Sequence, residues 1–426
     1  MNKYLISFLV VFIITDACAD VSTQIWGTQT VALVYNNDYI DLQEIQNISA
    51  DKYKFDNSVV YINNLSDWQN WIADVEFLTN VSLRIKNLGM SNNGEKLEHV
   101  SSSDVVNVSV RDADNLYTVD FTAMGGDLFL NLARETDYTK IFRDSRGAFL
   151  ENIRLNHPND KMLLAMDKAA TMQELNSVMN SSYHFNQKIL MNPIKTLNRA
   201  VLIDSSSKIK TGIGADIDYI MSDKIDVYGG HIYVAERYED LYFKIGVNLN
   251  RFSYSDDLNE FDGFVYGLDV CGRQYFDNFW LDGLIGANRT NFNADDVYVN
   301  NGNTNNPKGI SEYMRLSAGY DYTQISDFVI SPFVGLLFQN VKVLGISDKD
   351  TNLYAGLNGK YSVIMDGIKY EYGAVIGSDE KADFNIGANV GFLSVVDGAG
   401  AHIEINAFQN EFGINYKFSI NAKVQF

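Results

Sequence analysis

The sequence predicts an all-β chain: a 12-stranded antiparallel transmembrane β-barrel, preceded by a β-rich N-terminal region, read as a short β-helix over an irregular β-domain, and a connecting α-helical segment. Three observations carry this reading: the alternation of apolar residues in the C-terminal half, the aromatic and glycine excess, and the lengths of the connections between strands.

The last fifteen residues place Phe412, Ile414, Tyr416, Phe418, Ile420, Ala422, Val424 and Phe426 at every second position, with mostly polar residues between. Period-two alternation means a strand with one apolar face. The same pattern runs through Leu241, Phe243, Ile245, Val247 and Leu249, and again through Phe384, Ile386, Ala388, Val390 and Phe392. In each copy the opposite face is rich in Gly, Asn and charge. Polar inside and apolar outside is what a lipid-exposed sheet requires.

Marking all such runs gives strands at 209–221, 224–235, 239–254, 260–274, 277–292, 309–323, 326–343, 351–364, 367–378, 381–396, 399–409 and 411–426. The second and seventh alternate poorly, as bulged strands would. Composition agrees, since 25 Tyr, 25 Phe and 31 Gly stand against 4 Pro and 2 Cys. Aromatic girdles and many strands account for that excess.

Connection lengths give an independent test, because membrane barrels alternate short periplasmic turns with longer outer loops. The longest connection, Ala294 to Lys308, follows the fifth strand; Gly345 to Asp350 follows the seventh and Ser255 to Asn259 the third. All three fall on one side. The even strand count leaves both ends of the barrel on the other.

At the N-terminus, Lys3, the apolar run Leu5 to Ile14 and the pair Ala17 and Ala19 flanking Cys18 read as an export signal cleaved before Asp20. The expected organisation is a signal peptide at 1–19, a short β-rich region at 20–160, a helical segment at 161–205 and the barrel at 206–426. Cleavage leaves Cys271 alone, so no intrachain disulfide is expected and a small buried side chain is the reading for it.

Immediately before the barrel, Asn192 and Pro193 read as a helix start, with a capping Asn and Pro at the first helical position. Ile194, Leu197, Val201 and Leu202 then share one face. Upstream, Thr171 and Glu174 have capping-box spacing ahead of Leu175, Val178 and Met179. In the N-terminal region, strand-like runs occur at Val31 to Tyr35, Val59 to Ile62, Val81 to Ile85, Val105 to Val110, Leu116 to Phe121 and Leu128 to Leu132. Their early spacing is near one β-helix rung, although no sequence repeat accompanies it.

Chemistry is sparse. His99, His157, His184, His231 and His402 lie far apart with no metal-ligand spacing, so neither a metal nor a cofactor is expected. Asp112, Ala113, Asp114 and Asn115 read as a polar turn, lacking the Gly and distant Glu of a calcium loop. His231 or His402 with Asp216 or Glu404 is the only hydrolase-like grouping, and nothing positions a nucleophile. Lys369, Glu371, Asp269 and Arg273 are expected to pair across strands inside the barrel or to line water there. No catalytic residue is assigned, and the protein is not expected to be an enzyme. The net charge of −20 argues against a nucleic-acid partner.

The stretches GGDLFLNLARETDY, NDKMLLAMDKAATMQELNSVMNSS and NPIKTLNR, followed by a twelve-strand barrel, resemble the C-terminal region of autotransporters, the type V secretion family, over roughly residues 125–426. The resemblance implies an outer-membrane barrel whose pore holds the segment from Asn192 to Asp204 and tethers an upstream passenger displayed at the cell surface. It further implies lipid, the barrel-assembly machinery and periplasmic chaperones as partners, a monomer, and an assembly signal in Phe418, Ile420, Ala422, Val424 and Phe426. The chain departs from the usual form in its short passenger and in lacking an Asn-Asn pair within the helix, so the passenger is expected to stay attached. The competing reading is an outer-membrane channel or structural barrel that keeps a periplasmic N-terminal domain.

Overall fold

The computed structural model describes residues 20–26, 30–45, 50–71, 74–101, 103–104, 107–203, 211–325, 327–396 and 398–425. Ala17, Ala19, Asp204 and Phe426 lie outside the described residues. Two compact units divide the chain: residues up to 152 with 167–176, and residues 153–166 with 177–426.

The second unit is a closed antiparallel barrel of twelve staves: β1 (Gly212–Met221), β2 (Ile225–Tyr238), β3 (Leu241–Ser255), β4 (Glu260–Phe276), β5 (Phe279–Asn293), β6 (Lys308–Tyr320, continued by Tyr322–Ile325), β7 (Phe328–Val343), β8 (Ile346–Met365), β9 (Ile368–Asp379), β10 (Phe384–Ser394), β11 (Ala399–Asn410) and β12 (Gly413–Val424). Each stave pairs with the next, and β12 closes onto β1 with Ile213 opposite Val424 and Ile217 opposite Ile420. Closure leaves no unpaired sheet edge, which a lipid-exposed sheet must avoid.

The alternation read from the sequence is the wall itself. Ile217, Leu249 and Ile285 are 68%, 62% and 61% exposed on the outside, while Asn248, Asp269 and Asn288 point inward and are buried. Phe276, Phe279, Tyr320 and Tyr361 form an exposed aromatic girdle near one mouth. Inward glycines make room for long inward neighbours. A Cβ on Gly286 would lie 2.3 Å from the Tyr313 ring, and one on Gly246 would lie 1.8 Å from His231 Nε2.

Four local expectations differ from the structure. β2 keeps unbroken register with β3 through Gly229 and Gly230, so its poor alternation comes from two glycines and not from a bulge. β7 likewise keeps register with β8 from Phe328 to Val343, and the irregularity lies in its pairing with the continuation of β6. The connection expected from Gly345 to Asp350 is a two-residue turn, because Leu344 and Gly345 both take positive φ and let β8 begin at Ile346. Phe412 sits in the turn before β12, against the Lys195 ammonium, and does not join the lipid face.

The first unit contains two sheets whose short rungs stack in parallel, one of them edged by Asp20–Trp26, which pairs antiparallel with Thr30–Asn36. One aligns Thr30–Asn36, Lys52–Asp56 and Asp74–Phe77; the other aligns Tyr39–Asp41, Val59–Ile62, Val81–Ile85 and Val108–Asp112. Tyr35, Phe55 and Phe77 stack from rung to rung inside, at centroid distances of 5.7 and 6.0 Å. This is the β-helix pattern. A hairpin of Tyr117–Met124 and Asp127–Arg134, with Lys96–Ser101, follows it. Asp112 begins a polar turn as read, its carboxylate accepting from the backbone N–H of Asp114, Leu116 and Tyr117. Burial raises its pKa despite those bonds.

Candidate functional site

The barrel lumen is occupied by its own chain. The helix Asn192–Leu202 continues directly from a 3-10 turn at Ile189–Met191, so Asn192 is its first helical residue and not its cap. Met191, already in helical conformation, takes that place. Pro193, Ile194, Leu197 and Leu202 are buried, and Val201 is partly covered. The polar side is buried as well: Lys195, Thr196, Asn198 and Arg199 all point into the lumen wall. A helix covered on every side needs a partner for each polar group.

Partners for most of them come from staves on different sides of the ring, while Asn198 Nδ2 and Arg199 Nε lie buried without a hydrogen bond among the described residues. Lys195 pairs with Asp348 of β8 at 2.8 Å and with Glu411 in the turn between β11 and β12. Asn410 donates to Thr196 Oγ1 at 3.0 Å. Asn198 Oδ1 accepts from Asn288 of β5 (3.1 Å) and Ser311 of β6 (3.3 Å). Arg199 pairs with Asp379 of β9 at 2.8 Å, both nearly fully buried. At the last turn, Arg315 of β6 donates to the Leu202 carbonyl at 2.8 Å while its Nη2 lies 2.8 Å from Asp282 of β5. The sequence reading named the apolar face of this helix and missed the polar one, although Lys195 and Arg199 at i and i+4 were visible.

The helix has a direction. Its start lies at the mouth that carries the long 294–307 connection: a Cβ on Gly309, next to that connection, would lie 3.2 Å from Ile194. Its end lies deeper, at the level of Arg315. β1 begins, and β12 ends, at the opposite mouth. Residue 191 therefore lies at one mouth, the end of the helix within the lumen, and the start of β1 at the other mouth.

Residues upstream of the helix close over the mouth they reach. Tyr183 packs edge-on against Phe261 and its N–H donates to Asn259 Oδ1 at 2.7 Å. Both ring nitrogens of His184 face oxygen acceptors, Asp160 at 3.0 Å and the Asp296 carbonyl at 2.9 Å. Burial pushes the Asp160 carboxyl up, but His184 and the backbone N–H groups of Leu163 and Met162 outweigh it and hold the pKa below the usual range. Below these contacts, Phe252, Phe261, Phe292, Val341 and Val343 point inward and form an apolar core with Leu190, Met191 and Ile194. The wall is thus inverted near this mouth, apolar inside and polar outside.

Deeper in the lumen, His231 lies 3.0 Å from Asp269 and 3.5 Å from Asp216, while His402 lies 3.9 Å from Glu404. Lys369 and Lys360 both reach Glu371 at 3.2 Å, and Arg273 stacks 3.9 Å over the Trp280 ring beside Asp282. Glu371, Asp269 and Arg273 pair across strands, with Lys360, His231 and Asp282, whereas Lys369 meets Glu371 within its own strand. Cys271 is buried with its side chain inward.

Residues 243–364, spanning β3 to β8, match the family model of the autotransporter β-domain. This part of the barrel is an autotransporter β-domain. The β-domain is an outer-membrane barrel of the type V secretion class, and the apolar exterior is the surface such a location requires. Similar solved structures include the translocator domain of the autotransporter NalP from Neisseria meningitidis, at 12% identity, covering 57% of this chain and 99% of that one, with a TM-score of 0.43. The transport unit of AIDA-I from Escherichia coli is similar at 10% identity, 57% and 98% coverage and a TM-score of 0.41. The β-domain of the Bordetella autotransporter BrkA is similar at 15% identity, 50% and 99% coverage and a TM-score of 0.38. No curated protein matches the chain.

Proposed function

We propose that the β-domain anchors the N-terminal region, residues 20–160, and helps carry it to the cell surface, where it stays attached. One observation carries this reading: residue 191 lies at the mouth opposite to the start of β1, and the helix that follows it ends within the lumen. Sidedness follows from connection length. The longest connection, 294–307, lies at the helix-start mouth, where β7–β8 and β11–β12 are two-residue turns, whereas β2–β3, β4–β5 and β8–β9 at the other mouth are joined by two residues each. Long connections face outward in such barrels, so the upstream chain emerges outside.

On this reading residues 1–19 are a removed export signal, the barrel-assembly machinery and periplasmic chaperones insert a monomer, and the protein is an anchor and display device, not an enzyme. The buried Lys195 and Arg199 contacts hold the helix as a plug. An epitope inserted near Asn92 tests the proposal. Antibody should label it on intact cells; labelling only after the outer membrane is permeabilised would favour the channel with a periplasmic N-terminal domain.

A further inference from the structure

The outside of the barrel carries an unpaired basic cluster just above the apolar belt, on one side only. Arg289 of β5, Ile310 of β6, Lys342 of β7 and Ser347 of β8 are consecutive partners in one lateral row, all outward and exposed. Lys308 stands two residues from Ile310 toward the mouth, and Lys349 two residues from Ser347. Arg289, Lys308, Lys342 and Lys349 make no ion pair or hydrogen bond among the described residues. One outward acid, Glu312, stands in the next row between Ala287 and Asn340, diagonal to Arg289 and Lys342; it accepts from Asn340 at 3.3 Å and leaves the four cations in excess over a single carboxylate.

Below the row the same staves turn apolar, with Ile285, Leu316, Val334 and Leu353 each more than half exposed. The cluster therefore sits where an acyl region gives way to headgroups. Near the same mouth on β9, β11 and β2 the outward positions are Ser378, Gln409 and Asp226, so the charge is local and no uniform girdle. Adjacent staves lie about 4.8 Å apart and diagonal neighbours about 7–8 Å, so like charges here repel unless an anion lies between them. In a chain of net charge −20, four such cations without partners call for one.

We infer that this face of β5 to β8 binds a phosphorylated glycolipid headgroup of the outer leaflet, its phosphates lying between Arg289, Lys342 and Lys349 and its acyl chains against Ile310, Leu316 and Leu353. Placement in the outer leaflet rests on the sidedness used for display. Anionic headgroups attract each nearby Lys or Arg of a membrane protein, and a cluster multiplies the effect.

Native mass spectrometry of the purified full chain in nonionic detergent tests this, with bis-phosphorylated lipid A as the probe. Wild type should retain it at least about tenfold better than dephosphorylated lipid A, and the combined variant Arg289→Gln, Lys342→Gln, Lys349→Gln should lose that preference. Heat-modifiable migration confirms that the variant is folded, and Arg251→Gln, whose arginine already pairs with Asp262 at 3.5 Å, should retain lipid as wild type does. Equal retention by the combined variant, or equal retention of the dephosphorylated lipid, would overturn the proposal. Displacement of the lipid by inorganic phosphate at similar concentration would assign the site to free phosphate and overturn it too. Each outcome is independent of which side of the membrane the N-terminal region occupies.

Discussion

At the residue scale, the mouth is fastened by a few polar contacts among apolar ones. His184 joins Asp160 to the Asp296 carbonyl, and His157 adds a 3.2 Å contact to the Asp296 carboxylate. Because the folded-state pKa of Asp160 is lowered, its contribution is fully present above the unfolded value of about 3.9 and is lost as pH falls through the lower folded value. Hydrogen-exchange protection across residues 181–187, taken relative to the intrinsic exchange rate at each pH, should thus hold from neutral pH down to about 4 and fall below it. Asp160→Asn should exchange faster at neutral pH and lose the acid dependence. An unchanged acid dependence in that variant would assign it to another group. None of this was legible in the sequence, where Asp160 and His184 are twenty-four residues apart and each reads as an ordinary loop residue.

At the element scale, the staves were legible because lipid outside and a polar lumen inside impose period two on every one of them. Ile245, Val247 and Leu249 face out and Asn248 and Asn250 face in, as the alternation required. The inversion at the helix-start mouth was not legible. Phe252 and Tyr254 continue the same period, but there the outside meets water and the inside meets Leu190, Met191 and Ile194, so the apolar face switches sides. Only the path of the helix explains that switch. The helix itself is docked by its apolar face and by buried ion pairs, and removing one partner of a buried pair costs about 3–5 kcal/mol. Arg199→Met should therefore lower the temperature at which the heat-modifiable form is lost and, by loosening the plug, raise conductance in a planar bilayer. A variant as stable and as closed as wild type would show that the Arg199–Asp379 pair does not hold the plug.

At the scale of the whole molecule, a membrane barrel and a short stack of parallel rungs share one chain, linked through the segment that fills the barrel. The rungs were only partly legible: Val59–Ile62 and Val81–Ile85 stood out as apolar runs, whereas Lys52–Asp56 and Asp74–Phe77 did not. The outer faces of the latter carry Lys52–Asp74 and Lys54–Glu76 pairs, which mask a strand in a search for apolar alternation. The central claim is that the chain passes through the barrel and leaves residues 20–160 outside. Labelling of intact cells by a membrane-impermeant maleimide tests it most directly, with single cysteines at Asn92 in the N-terminal region, Asn301 in the long connection and Glu239 in the β2–β3 turn. The buried Cys271 sets the background. The account predicts that Asn92→Cys and Asn301→Cys label together and that Glu239→Cys labels only after permeabilisation. Labelling of Asn92→Cys in step with Glu239→Cys would contradict it.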